Sequence, residues 1–189
     1  MRRNKLLLVV GLVLVAASIV CIIGMEVSAV LAQKEAARIV SRLEAVMPKR
    51  HAGIKDALTN MTMPAFSVDG KDFIGVLEIP ALGRTLPVSS RWDTGSLGRY
   101  PCRFTGTAYD GSLIIGGSDR AGQFRGFDTL NVGATVTVTD MTGAVFTYEV
   151  KRIDRASHAG AEVLTRGEYD LVLFVQDAFA MEYIIVRCA

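Results

Sequence analysis

Residues 135–152 have the sequence TVTVTDMTGAVFTYEVKR, and this stretch decides the fold class. On each side of Thr142 and Gly143, apolar and polar residues alternate, as they do in antiparallel strands with one buried and one exposed face. The Thr-Gly pair has the composition of a tight hairpin turn. The stretch therefore predicts two antiparallel strands joined by a short turn.

Similar short apolar runs, separated by turn residues, occupy the rest of the second half of the chain. Residues 171–175 are apolar throughout, which predicts a strand buried on both faces at the centre of the domain. Many short strands with few helices are typical of an all-β sandwich or barrel. The other runs are FIGVLEI (73–79), TLPV (85–88), SLIIGG (112–117), DLVLFVQ (170–176) and EYIIVRC (182–188).

Length and composition exclude several classes of function. The chain has 189 residues, of which 50% are hydrophobic and 21% charged, which suits one folded domain with an appendage and argues against disorder. The chain has 21 lysine and arginine residues and 19 acidic residues, so its net charge is nearly balanced. Nucleic-acid binding needs an excess of positive charge to contact phosphates, so we expect no nucleic-acid partner. Three cysteines and two histidines predict neither a disulfide scaffold nor a metal site, and no cofactor is expected.

The N-terminus carries the most apolar stretch of the chain. Residues 6–25, LLLVVGLVLVAASIVCIIGM, contain no charge, and as a helix they would be about 30 Å long, the thickness of a bilayer core. Arg2, Arg3 and Lys5 precede the run, which predicts a cytoplasmic N-terminus and an extracellular remainder. The run therefore predicts a single transmembrane anchor in the cell membrane.

Two other interpretations of this stretch are open. Residues 27–29 and 30–32 provide small-residue sites for cleavage of a signal peptide, although the run is longer than the usual apolar core of about 7 to 15 residues. A lipoprotein is disfavoured because Val20 stands directly before Cys21, where a small residue is expected. Cys21 is then a small apolar residue in lipid.

The segment after the anchor predicts a helical stalk and a spacer. Apolar residues recur at steps of three and four over residues 27–47, so we expect an amphipathic helix that Pro48 ends. It contains too few heptads for a coiled coil. The predicted organisation is an anchor at 1–25, a stalk and spacer at 26–65, and a β domain at 66–189 that folds on its own.

Four segments of the second half resemble one known family. They are DFIGVLEIPALGRTLPV (72–88), RYPCRFTGTAYDGSLIIGG (99–117), QF…L…VGATVTVTDMTGAVFTYEV (123–150) and DLVLF…VRC (170–188). They resemble the sortases, most closely the class B-like sortases of gut Firmicutes. Sortases are membrane-anchored cysteine transpeptidases of Gram-positive bacteria that join surface proteins or pilins to the cell envelope. The resemblance implies a closed β-barrel of about eight strands with short helices.

The same resemblance implies that all three catalytic positions are replaced. The family's histidine falls on Ser118, its cysteine nucleophile on Gln176 and its arginine on Tyr183, whereas Arg187 matches a different family position. Glutamine is not a nucleophile, serine is no base near neutral pH, and tyrosine carries no fixed charge. These residues could still donate and accept neutral hydrogen bonds in a peptide groove.

No other residues supply a replacement site from the sequence. The resemblance places Cys102 before the histidine strand and His158 in a loop before the nucleophile strand, where we expect a surface residue. A disulfide between Cys102 and Cys188 is left open, because the sequence does not give the separation of the two residues. A serine hydrolase built on Ser118 would have only the neighbouring Asp119 in place of a histidine base.

The sequence is therefore compatible with three functions. The first is a catalytically inactive sortase-like protein that binds a sorting-signal peptide, a pilin or an active sortase. The second is an active transpeptidase or hydrolase that anchors proteins to the cell wall with non-standard residues. The third is a structural component of the envelope. The three replacements favour the first.

Overall fold

A computed structural model describes residues 2–54, 61–165, 167–177 and 181–189, without the side chains of residues 2–9, 22, 23, 25, 26 and 29. The helices are α1 (Arg2–Val46), α2 (Thr94–Leu97) and α3 (Ala161–Leu164), with single 3₁₀ turns at Pro80–Leu82 and Phe127–Thr129. The strands are β1 (His51–Ala52), β2 (Phe66–Val68), β3 (Lys71–Ile79), β4 (Arg84–Ser89), β5 (Cys102–Thr105), β6 (Leu113–Ser118), β7 (Thr135–Asp140), β8 (Ala144–Ala156), β9 (Leu171–Gln176) and β10 (Tyr183–Cys188).

Eight of these strands close into a barrel. Their order around the ring is β8, β10, β9, β6, β5, β4, β3 and β7, and β7 pairs with β8 to complete it. The short strands β1 and β2 extend the sheet beside β8 and β3. The predicted all-β barrel of about eight strands is confirmed.

The hairpin of β7 and β8 forms as its sequence predicts. Gly143 lies in the turn at a φ of +84°, a backbone conformation that favours glycine. One carboxylate oxygen of Asp140, Oδ1, accepts hydrogen bonds from the backbone N–H groups of Thr142 at 2.8 Å and Ala144 at 3.0 Å. The other, Oδ2, accepts from the Tyr109 hydroxyl at 2.6 Å. This buried carboxylate therefore fixes the turn.

Strand β9 occupies the centre of the domain. Residues 171–175 are all buried, and β9 lies between β6 and β10. Leu173 and Val175 belong to the cluster inside the barrel, whereas Val172 and Phe174 belong to a second cluster on the outer face. The prediction of a strand buried on both faces is confirmed.

Helix α1 confirms the helix predicted at 27–47, but its last turns do not form a free stalk. They pack on the outer face of the barrel. Strand β3 is apolar on both faces, so its outer face is buried only when another element packs on it. The shared cluster contains four helix residues and four barrel residues: Ala36, Ile39, Val40, Leu43, Val68, Phe73, Val76 and Tyr100. The end of the predicted stalk is thus part of the core of the domain.

Polar contacts hold the same helix against the barrel. Arg38 and Arg42 bind the two carboxylate oxygens of Asp69 at 2.8 and 2.7 Å. The Tyr100 hydroxyl donates to Glu35 at 2.6 Å. Burial and the nearby Glu35 carboxylate raise the pKa of Tyr100 to about 12, so this hydroxyl keeps its proton at neutral pH.

Part of the predicted spacer also contacts the barrel. His51 and Ala52 form β1, which pairs in parallel with the start of β8. A side chain at Gly53 would collide with the ring of Phe146, so the chain runs close to the sheet here. Residues 55–60 of the spacer lie outside the described residues.

Among the side chains that the structure describes, no helix contains a stretch long and apolar enough to cross a bilayer. The side chains of residues 6–9, 22, 23 and 25 in the predicted anchor lie outside that description.

Candidate functional site

The three positions to which the resemblance assigns the catalytic residues lie in one row. Ser118 ends β6, Gln176 ends β9, and Tyr183 begins β10. In the sheet register Ser118 pairs with Gln176, and Gln176 pairs with Tyr183. The fold therefore brings together residues that are far apart in the sequence. We call these three residues the site row.

The site row lies on the outer face of the barrel. Side chains two residues apart on a strand share a face. Phe174, two residues before Gln176, and Ile185, two residues after Tyr183, both belong to the outer cluster. Ile114 of β6 belongs to the same cluster, so Ser118 faces the same side. Gln176 is exposed, and the other two row residues are partly buried.

Ser118 has a fixed backbone and an unpaired hydroxyl. Its N–H donates to Gln123 Oε1 at 3.2 Å, and its carbonyl accepts from the N–H of Arg120 at 2.8 Å. Its Oγ atom is buried and has no hydrogen-bond partner among the described residues. An unpaired buried hydroxyl costs free energy, and protein atoms cover this oxygen, so it is not open to a ligand in this arrangement.

An aromatic cluster lies next to the site row on the same face. Trp92 stacks on Phe174 with a centroid distance of 5.6 Å and an interplanar angle of 20°. Phe104 meets the edge of Trp92 at 5.3 Å and of Phe174 at 5.6 Å. A side chain at Gly116 would collide with both Trp92 and Phe174, so this glycine lets the indole reach the sheet.

The sequence did not predict Trp92 or Phe104 as residues beside the site. Both lie outside the apolar runs predicted as strands, in the stretch between TLPV and SLIIGG. The one signal in the sequence was the glycine pair in the otherwise bulky run SLIIGG, because glycine inside a strand often marks a close approach by another group.

The two cysteines of the barrel are not at the site row. Cys102 and Cys188 are free thiols and fully buried, so the described structure contains no disulfide between them. Burial raises the pKa of Cys188 to about 12 and also raises the pKa of Cys102. Since the thiolate is the nucleophilic form of cysteine, neither thiol is activated near neutral pH.

His158 and Asp119 do not form a base for the site. His158 lies before α3, where its ring is mostly exposed and contacts Glu162 at 3.1 Å, so the predicted surface position is confirmed. The Asp119 carboxylate lies 3.8 Å from Arg125. Among the described residues, no group of three histidine, cysteine or acidic side chains could hold a metal ion.

Arg187 does not lie at position 183, to which the resemblance assigns the family's arginine. Its guanidinium donates to Asp154 at 2.7 Å and to the backbone carbonyl groups of Val163 and Leu164 at 2.7 and 3.2 Å. It is four residues from Tyr183 along an extended strand, which is about 13 Å. Its donors hold the segment around α3 on the barrel.

One family of known proteins matches the sequence. The family model of the sortase domain matches residues 77–177, more than half of the chain. No curated protein matches the sequence.

Solved structures of sortases have a similar fold. Sortase C1 from Streptococcus suis is 19% identical with a TM-score of 0.52, over 61% of this chain and 71% of that one. Sortase A from Corynebacterium diphtheriae, a lid mutant, is 20% identical with a TM-score of 0.54, over 62% and 69%. A sortase D5 transpeptidase from Clostridium perfringens is 23% identical with a TM-score of 0.53, over 62% and 78%. At these identities the likeness shows the fold alone.

Proposed function

Because the chain belongs to the sortase family, we propose that it is a catalytically inactive member that binds sorting-signal peptides or partner proteins at the site row. One observation carries the proposal. Ser118, Gln176 and Tyr183 are paired in one row, and the three positions to which the resemblance assigns a histidine, a cysteine and an arginine therefore contain a hydroxyl, an amide and a phenol. Such a row can form hydrogen bonds with a peptide but cannot carry out the family's acyl transfer.

The chemistry of each position supports this proposal. A cysteine sortase needs a thiolate to attack a carbonyl carbon, and the Gln176 amide has no nucleophilic atom of that kind. Ser118 does not take up a proton near neutral pH, and Tyr183 offers one O–H donor to an oxyanion in place of a guanidinium. In a well-studied hydrolase, removing the nucleophile alone lowered turnover about a million-fold.

Binding places smaller demands on the same residues. The exposed Gln176 amide can donate and accept hydrogen bonds with the backbone of an extended peptide. The partner proteins that we propose are a pilin or an active sortase. The assignment to the class B-like sortases rests on the sequence segments alone.

The alternative is an active sortase that uses non-standard residues. Its best candidate nucleophile is the unpaired Ser118 hydroxyl. That hydroxyl would need a base. His158 is hydrogen-bonded to Glu162 beside α3, and His51 lies in β1 beside β8. One experiment separates the two functions.

We expect the full chain, purified in detergent, to stay unmodified when it is incubated with a panel of sorting-signal peptides, because the site row lacks a thiol. Intact-protein mass spectrometry checks this, and isothermal titration calorimetry on the same samples measures binding. Saturable binding without a covalent adduct supports the proposal. An acyl adduct or a transpeptidation product would show instead that the protein is an active enzyme.

We also propose that residues 6–25 anchor the protein with its barrel outside the cell, on the strength of the uncharged run and the three basic residues before it. Protease added to intact cells is then expected to remove the barrel from a chain labelled at its C-terminus. The control is the same treatment of lysed cells. A barrel that is degraded only after lysis would refute this topology.

A further inference from the structure

Helix α1 connects the proposed anchor to the barrel without a break. It runs from Arg2 to Val46 as one α-helix, and the first proline of the chain is Pro48. Sharp bends in helices occur mainly at proline, at glycine and serine pairs, or where the hydrogen-bond ladder is interrupted. Once residues 6–25 lie in a bilayer, the direction of this helix therefore determines which part of the barrel is nearest to the membrane.

Ala32 and Gln33 bring the helix into contact with two loops of the barrel. They line a small cavity together with residues 98–99, which follow α2, and residues 120–123, which follow β6. A Cβ atom added to Gly122 would lie 3.4 Å from Gln33 Cβ, so the loop and the helix are in close contact. The packed residues from Ala36 to Leu43 lie further from the anchor. We call residues 98–99 and 120–122 the proximal rim.

The proximal rim lies close to the height of the lipid headgroups. Gln33 follows Met25, the last residue of the apolar run, by eight residues, which is a rise of about 12 Å in an α-helix. The headgroup layer extends about 5–8 Å beyond the hydrocarbon core. Membrane helices are tilted by about 20° on average, and a tilt toward the barrel lowers the rim further. Long arginine side chains on the rim can cover the remaining distance.

The helix surface between the anchor and the rim is suited to a lipid boundary. Residues 27–33 contain no charge, and Val27, Val30 and Leu31 are 52%, 48% and 61% exposed. Helices at a membrane interface bury such apolar side chains in the boundary between headgroups and acyl chains. Leu31 precedes Gln33 by two residues, so a bilayer that covers these side chains also reaches the rim.

The proximal rim presents positive charge. The Arg99 side chain is 55% exposed and lies 3.5 Å from Glu35, and Arg120 is exposed. In the same loop Arg125 lies 3.8 Å from Asp119. Three guanidinium groups are thus balanced by two carboxylates. Guanidinium groups form paired hydrogen bonds with phosphate, and basic residues next to a membrane helix are attracted to anionic lipids.

We propose that the proximal rim binds the phosphate groups of membrane phospholipids through Arg99 and Arg120, so that the barrel rests on the bilayer at this point. The rim continues directly from the site row, because the Ser118 carbonyl accepts a hydrogen bond from the Arg120 N–H at 2.8 Å. Gln123 joins the two loops by accepting from the Ser118 N–H and donating to the Leu97 carbonyl, both at 3.2 Å. The site row is thereby held near the membrane surface.

This inference rests on the proposed anchor, and the natural chain contains a reporter for it. Trp92 is the one tryptophan, and its ring lies against Gly116 of β6, two residues before Ser118. The full chain is reconstituted into nanodiscs of phosphatidylcholine and phosphatidylglycerol that contain a nitroxide either on the headgroups or at the ends of the acyl chains. We expect the headgroup nitroxide to quench Trp92 more strongly. Quenching should decrease without phosphatidylglycerol or at high salt, which screens exposed charges.

A moved tryptophan is the control for distance. In the double variant Trp92→Phe, Val132→Trp the reporter lies before β7, where Val132 is 65% exposed. The next residue, Gly133, donates to the carbonyl of Val150, which pairs with Cys188 at the far end of β10 from the site row. The headgroup nitroxide should quench this tryptophan little.

Neutral substitutions test the two arginines. Arg99→Gln and Arg120→Gln are each expected to lower the ratio of docked to released barrel about five-fold, and together about thirty-fold, because a basic residue near an anionic bilayer contributes about 1 kcal/mol. Headgroup quenching of Trp92 measures this loss. Lys151→Gln is the matched control, since Lys151 is 44% exposed and pairs with Glu149 at 2.8 Å but lies on β8. This control should be quenched like the natural chain.

The outcomes separate the rim from the anchor. A chain that alkaline carbonate washes off the nanodiscs would overturn both proposals. A chain that stays in the bilayer, but whose Trp92 is quenched no more than the tryptophan at position 132, would overturn the rim contact and leave the anchor standing. Equal quenching in the double arginine variant and in Lys151→Gln would also overturn the proposal. The comparison of the two nitroxides uses the natural chain, so it decides even where a variant fails to fold.

Discussion

Joint replacement of the site row by Ser118→His, Gln176→Cys and Tyr183→Arg is expected to give a protein that forms a covalent acyl adduct with sorting-signal peptides. Gln176→Cys alone is expected to give little or no adduct. The register explains why the three changes can act together. The new cysteine at 176 would lie between the new histidine at 118 and the new arginine at 183, on adjacent strands. Intact-protein mass spectrometry measures the fraction of acyl adduct in the natural chain and in the single, double and triple variants.

The reason for this non-additivity is chemical. An isolated cysteine has a pKa of about 8.5 and is mostly protonated at neutral pH, whereas a neighbouring imidazolium stabilises the thiolate. The arginine is needed later, when negative charge develops on the carbonyl oxygen. When catalytic groups act as a unit, removing one of them can abolish nearly the whole rate enhancement. In one hydrolase such a single removal lowered turnover about a million-fold.

A matched control places the thiol one residue away. In Val175→Cys, combined with the same histidine and arginine, the thiol faces the barrel interior, where Val175 is 1% exposed. This protein should form no adduct. If it reacts as well as the Gln176→Cys combination, position 176 is not the nucleophile position. If Gln176→Cys alone reacts fully, the histidine and the arginine are not needed.

Removing helix α1 is expected to destabilise the barrel severely, although the strand pattern alone predicts that residues 66–189 fold without it. Ile39, Val40 and Leu43 are almost fully buried against the barrel. Burying three such side chains contributes roughly 5–9 kcal/mol, which is comparable with the total stability of about 5–15 kcal/mol of a typical domain. The truncation would also expose Phe73 and Val76.

Two chains test the role of the helix. Residues 27–189 should give a soluble monomer with a cooperative urea transition, whereas residues 66–189 should aggregate or unfold at a much lower urea concentration. Size-exclusion chromatography and circular dichroism measure both properties. Equal transition midpoints would show that the helix is dispensable.

Single substitutions on the same helix provide the matched control. Leu43→Ala should lower the free energy of unfolding by about 2–5 kcal/mol because Leu43 is fully buried. Val46→Ala should change it by less than about 0.5 kcal/mol, since Val46 is 50% exposed. Similar losses in both variants would contradict the packing of the helix.

The strands that the sequence predicts correctly are those with a strong local pattern. Alternation in residues 135–152 predicted β7, β8 and their turn, and the apolar run at 171–175 predicted β9. Strands β1, β2 and β5 were missed because they have two to four residues and form through pairing with longer neighbours. A period of two residues cannot be recognised in segments of that length.

The same distinction between local pattern and tertiary contact holds for the candidate site. The sequence by itself determined the all-β class and the amphipathic helix, because local residue patterns contain that information, and it gave the chemical identity of Ser118, Gln176 and Tyr183. Only the tertiary structure decided that these three residues form one row, that the helix covers β3, and that Trp92 stacks on Phe174. Those contacts join residues far apart in the chain. They depend on which distant strands pair and on which apolar faces pack together, and local patterns do not specify either.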